Sequence, residues 1–197
     1  MRDVFQWWLI ALGLSVFAFV VRGWCQPVAV VVPHHNVVAT VRQELLGWVA
    51  TRRINTSRVI LISPDHFSIN QHQILTGSDR LDVIEGVVKE VKTVNADHGI
   101  SNVYEDLRRL WPEVEIDTLI IGQKVTTKQL KPILDAMLIS CQSDCLLVAS
   151  VDFSHYLPAD TALAHDQITI EWLSQQRSDG LINTDVDSPQ SLWLLSS

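Results

Sequence analysis

The chain has 197 residues, 47% of them hydrophobic, and 15 basic side chains stand against 22 acidic ones for a formal charge of −7. That size suits one domain with one sizeable core. The acidic balance argues against a nucleic-acid surface, because phosphate binding needs clustered Lys and Arg. The only dense basic spots, Arg52-Arg53 and Arg108-Arg109, suit helix ends or solvated faces.

The N-terminus stands apart. Between Asp3 and Arg22 lie 18 uncharged residues, close to the length a helix needs to span lipid. The stretch also fits the apolar region of a signal peptide, but no small-x-small cleavage site follows, and Trp24 precedes Cys25 where a lipoprotein signal wants a small residue. Residues 1–25 are therefore expected to be a signal or transmembrane anchor, preferably uncleaved, which places the protein at a membrane or exports it. Arg2 and Arg22 flank the run almost evenly and set no orientation. Residues 26–197 are expected to form the globular domain.

In chain order, Val28–Val32 is a β-branched run that predicts a strand buried on both faces, stopped by Pro33-His34-His35-Asn36. A helix is expected over about Val37 to Arg52, with Val38, Val41, Leu45, Trp48 and Val49 on its apolar face. Arg58–Ile62 is a second strand, ended by Ser63-Pro64-Asp65-His66, and Gln73–Thr76 reads as a short one. Leu81 to Val94 is ambiguous between helix and strand. Asn95 to Gly99 reads as a polar loop able to cap a helix over Ser101 to Leu110. Asp117–Ile121 is a third strong strand, followed by a helix over Thr127 to Ser140 that places Leu130, Ile133, Leu134, Met137 and Leu138 inward. Cys145–Ser150 is the fourth, a helix is expected over Thr161 to Ser174, and Pro189 opens another. Cys141 and Cys145 read as free thiols or a disulfide before a metal site. Strands alternating with amphipathic helices predict an α/β fold, a mostly parallel central sheet flanked by helices. Ligands of such sheets bind beyond the carboxyl ends of the strands.

Three of the seven histidines follow strands: His34 after the first, His66 after the second and His155 after the fourth, with Asp152 three residues before His155. Parallel strands would bring them to one edge, where imidazoles and a carboxylate suit iron, zinc or copper, or proton transfer near neutral pH. His98 follows no clear strand and is a candidate for acid–base or supporting duty. His35 and His72 read as neighbours rather than ligands, His165 as structural or solvated, and Asp65 as a group that orients His66. Phosphate-binding loops, the G-x-S-x-G elbow and His-Glu-x-x-His are absent from the sequence.

The segments Pro33-His34-His35-Asn36, Ser63-Pro64-Asp65-His66, Asp97-His98-Gly99-Ile100 and Ser150-Val151-Asp152-Phe153-Ser154-His155-Tyr156 resemble, in order and spacing, the motifs of the Memo-like family, called AmmeMemoRadiSam system protein B in bacteria and archaea. The resemblance runs from about Val28 to the C-terminus. It implies a fold similar to class III extradiol dioxygenases, a metal held by His34 and His66, and a pocket lined by His98, Asp152 and His155, one of them moving protons. It implies iron, with copper as an alternative, and a small-molecule substrate of unknown identity. A redox or dioxygenase-type oxidoreductase is the leading activity. A zinc-dependent hydrolase and a non-catalytic metal-binding or interaction protein are the alternatives. His35-Asn36 replaces the family's Ala-Gly, Ser101 stands in place of an acid, and no residue matches the cysteine that completes the family's metal site. The chain therefore reads as truncated at its C-terminus.

Overall fold

A computed structural model describes residues 4–11, 14–23, 26–68, 70–141, 144–154 and 156–197, with side chains described from residue 29 onward. The central sheet is built on β3 (Gln26–Val32), β4 (Arg58–Pro64), β5 (Ile74–Thr76), β6 (Val87–Lys89), β7 (Glu115–Ile121) and β8 (Cys145–Ser150), in the order β3-β8-β4-β7-β5-β6. The first four of that order are mutually parallel. β5 runs antiparallel to β7, and β6 is parallel to β5. Before them, β1 (Val4–Ala11) and β2 (Leu14–Gly23) continue the sheet as an antiparallel pair beyond β3. The expected anchor lies where no side chain is described. Among the described residues, no helix is long and apolar enough to cross a membrane.

Helices cover both faces of the sheet. On one, Val59 and Leu61 of β4 and Val30 and Val32 of β3 pack with Leu46 and Val49 of α1 (Ala39–Ala50), Val94 of α2 (Val91–Ala96) and Ile100, Val103 and Leu107 of α3 (His98–Leu110). On the other, Ile60 and Ile62 of β4 pack with Leu130, Ile133, Leu134 and Met137 of α4 (Thr127–Ser140) and Leu194 of α7 (Pro189–Ser196). Val31 and Ala149 meet Ile170 and Leu173 of α5 (Ala159–Ser174), with Leu181 of the short α6 (Ser178–Leu181). Alternate residues of one strand thus serve opposite faces, which is why these strands are continuous apolar runs. Each fully buried Leu or Ile contributes on the order of 1.5–3 kcal/mol.

Local signals explain most boundaries. Thr126 and Gln129 form a reciprocal capping box that starts α4 at the expected residue. The Ser188 side chain accepts from the Ser191 N–H, and Pro189 occupies the first turn of α7. Two expectations are adjusted and one ambiguity is resolved. In α1, Val49 is buried and Leu45 and Trp48 pack partly buried against the core as expected, but the fully buried stripe also takes in Arg42 and Leu46, because Arg42 turns inward to an ion pair. Leu138 is 67% exposed, since α4 turns it away from the sheet. The ambiguous stretch holds β6 and α2, each too short to show a period. Cys141 and Cys145 are joined by a disulfide between α4 and β8.

Candidate metal centre

The register of the parallel strands carries the site. Val32 of β3 is level with Ser150 of β8, so two residues further on His34 and Asp152 leave the sheet side by side. The His34 backbone N–H donates to Asp152 Oδ1 at 3.0 Å. β4 lies on the other side of β8 and delivers His66 to the same edge. There the ring nitrogens converge, with His34 Nε2 3.0 Å from His66 Nε2.

A third donor comes from a segment that the sequence reading passed over. Asp187, just before the Ser188 cap of α7, places Oδ2 3.4 Å from His34 Nε2 and 3.8 Å from His66 Nε2. The circle through three atoms at these separations has a radius of about 2.0 Å, the bond length of a transition metal to imidazole or carboxylate. His34, His66 and Asp187 together could hold a metal ion. Among the described residues, Asp187 Oδ1 and His34 Nδ1 are buried without a hydrogen-bond partner. Beyond its place next to a Ser-Pro helix start, Asp187 carries no sequence signal that marks it as a ligand.

The surrounding side chains fix the two imidazoles. Asp97, fully buried, accepts from His66 Nδ1 at 2.6 Å and from the His66 backbone N–H at 3.0 Å. The same carboxylate caps α3 by accepting from Gly99 N–H at 2.8 Å. With Nδ1 bound in this way, Nε2 of His66 is the nitrogen turned toward His34 and Asp187. Asp65 does not orient His66 as expected. Its Oδ2 accepts from Asn70 N–H, and its own N–H reaches the end of β7 at Ile121. Arg42 ties the His34 loop to α1: its Nε donates to Asp106 at 2.7 Å, and its Nη1 reaches the carbonyls of Pro33, His34 and His35. Asn102 also donates to the His34 carbonyl, at 3.1 Å. Gly99 is needed for close approach, since a Cβ there would lie 2.1 Å from Ser63 Oγ and 2.8 Å from His66 Cε1.

Of the residues expected to line the pocket, Asp152 and His98 are brought in. Asp152 Oδ2 lies 3.3 Å from His34 Nε2 and 3.4 Å from His35 Nε2. The His98 ring, at the first residue of α3, is centred 3.9 Å from that of His66 and 5.3 Å from that of His34. His155 lies outside the described residues. His35 joins the site more closely than a bystander would, whereas His165 pairs with Asp185 at 2.9 Å, away from the cluster and exposed.

The charges are strongly perturbed. Burial, joined by the neighbouring rings of His66, His35 and His98 and opposed by Asp152, lowers His34 to about 4, so it is neutral at pH 7. Burial would lower His66 as well, but the Asp187 and Asp97 carboxylates outweigh it and raise it to about 9. Burial and then the nearby Asp152 raise Asp187 to about 6. His98 is lowered by burial and by His66. Asp97 is lowered: its burial works the other way, and the bond to His66 overcomes it.

In comparisons with known proteins, no family model matches the chain and no curated protein matches it.

Proposed function

We propose that the protein is a Memo-like metal-binding domain with a class III extradiol dioxygenase-type fold, held at a membrane by its N-terminal apolar segment. The observation that carries the metal reading is the donor triangle of His34, His66 and Asp187, with sides that fit one ion. Two imidazoles and one carboxylate, with other positions left for substrate, are a donor set suited to non-haem iron(II), and imidazole also suits copper and zinc. Iron in such a site supplies dioxygen or one-electron redox chemistry on a bound small molecule. The protein's own residues then have definite tasks. His34 is neutral and ready to ligate. Asp97 holds the His66 tautomer, and Asp152 fixes His34 through its backbone N–H while its other oxygen lies beside the His34 Nε2. His98, beside both ligand rings and lowered toward neutrality, is placed to take or give a proton at substrate.

A zinc-dependent hydrolase is the second reading, because the same three donors with an open position would also serve a zinc-bound water. The test is metal identity after purification without oxygen, followed by dioxygen uptake with the metal found. Iron with substrate-dependent uptake supports the first reading, zinc without uptake moves the hydrolase ahead, and no metal in folded protein leaves a binding or scaffold role.

A further inference from the structure

We propose that His35 and His98 form, with His34, a second metal position at the mouth of the site, through which an ion passes to the inner triad. The inference rests on the metal reading above. Its basis is that the donors form two overlapping groups, His34–His66–Asp187 and His34–His35–His98, each close enough to hold one ion. The two differ in depth. Side-chain exposure is 1% for His34, 18% for His66 and 13% for Asp187, against 44% for His35. The His35 and His98 rings are parallel within 7° at 6.0 Å, and His98 is also centred 3.9 Å from His66. The outer pair therefore leads to the inner one without a gap.

A third group, His66–Asp97–His98, is not a further position. Asp97 is committed to His66 Nδ1, to the His66 N–H and to the Gly99 N–H, and supports a ligand instead of acting as one.

The chemistry favours transfer in steps. A hydrated divalent ion entering a buried triad directly must shed several waters before it gains protein donors. At the mouth it exchanges water for His35 and His98 first and takes His34 next. It then trades His35 and His98 for His66 and Asp187 while His34 remains bound. In this scheme His34 serves both positions through Nε2, so one ion is held at a time.

The test uses the full chain and cobalt(II), comparing wild type with His35→Ala by stopped-flow uptake and chelator-driven release. A step on the path in and out changes both rates equally. His35→Ala should slow uptake and release together, each by about tenfold, with one ion still bound per chain. Equal melting temperatures establish that the variant is folded. Unchanged rates, a weakened dissociation constant with unchanged release, or two ions per chain would overturn the proposal. Absence of cobalt binding by wild type would overturn the metal reading itself, a distinct failure.

Discussion

Replacing Asp97 with Asn tests how the site controls its own protons. In the metal-free protein His66 is raised to about 9, and a metal must displace that proton from Nε2. At pH 7, two units below, the competition weakens apparent affinity about 100-fold, roughly 2.7 kcal/mol. Wild-type affinity should therefore rise about 50-fold between pH 7 and pH 9, with close to one proton released per ion at pH 7. His34, at about 4, releases none there. The amide introduced by Asp97→Asn keeps the shape of the carboxylate but loses the charge bonded to His66 Nδ1, so His66 falls and the proton penalty shrinks. The same change removes a supporting carboxylate, which costs about 10–100-fold in intrinsic affinity. Near pH 7 the two effects offset and the proteins should bind comparably, whereas at pH 9 the variant should be clearly weaker. Calorimetric zinc titrations in chelator-buffered solutions, repeated in buffers of different ionisation enthalpy, give both affinity and proton count. A wild-type affinity that is flat from pH 7 to 9, or a variant with the same slope, refutes the reasoning.

Other expectations follow from the same contacts. Arg42→Ala leaves Asp106 with only Gln43 and Arg109 as partners and frees the His34 loop; chemical denaturation should show a loss of about 1–3 kcal/mol. Gly99→Ala forces Ser63 and His66 apart and should cost about 1–3 kcal/mol, with a loss of metal affinity larger than that of a Gly47→Ala control, where a Cβ meets nothing. In metal-free protein the raised His66 contributes stability that is full below its unfolded value near 6.5 and is lost as pH rises through about 9. Urea unfolding of the metal-free protein should therefore show declining stability between pH 6.5 and 9, by at most about 3 kcal/mol, and bound metal should remove that decline. The full chain should sediment with membranes and resist salt extraction, while release by salt alone would remove the anchor from the account.

The sequence made the sheet legible because four of its strands are buried on both faces and stand out as unbroken apolar runs. Their parallel register then brings His34, His66 and Asp152 to one edge with little freedom, and the placement of His98 follows from its Asp97 cap. What could not be read lies in contacts made across the fold. Arg42 belongs to a helix whose pattern favours a neighbouring face, and only the pairing with Asp106, 64 residues away, turns it inward. Asp187 occupies an irregular stretch between two short helices, so no period announces it, and only the packing of α7 against β8 and β4 carries it to the histidines. Asp97 lay inside a loop read as able to cap the next helix, but its partnership with His66 was not visible, since one carboxylate performs both tasks. Asp65, adjacent to His66 in sequence, was the natural candidate for that role and points elsewhere.

The central claim is that His34, His66 and Asp187 hold one ion between them. Metal content by mass spectrometry, on protein purified without oxygen beside a folded His34→Ala, His66→Ala double variant and Asp187→Asn, tests it most directly. The account predicts near-stoichiometric metal in wild type, none in the double variant and a marked loss in Asp187→Asn. Equal metal in all three, or none in folded wild type, would contradict it.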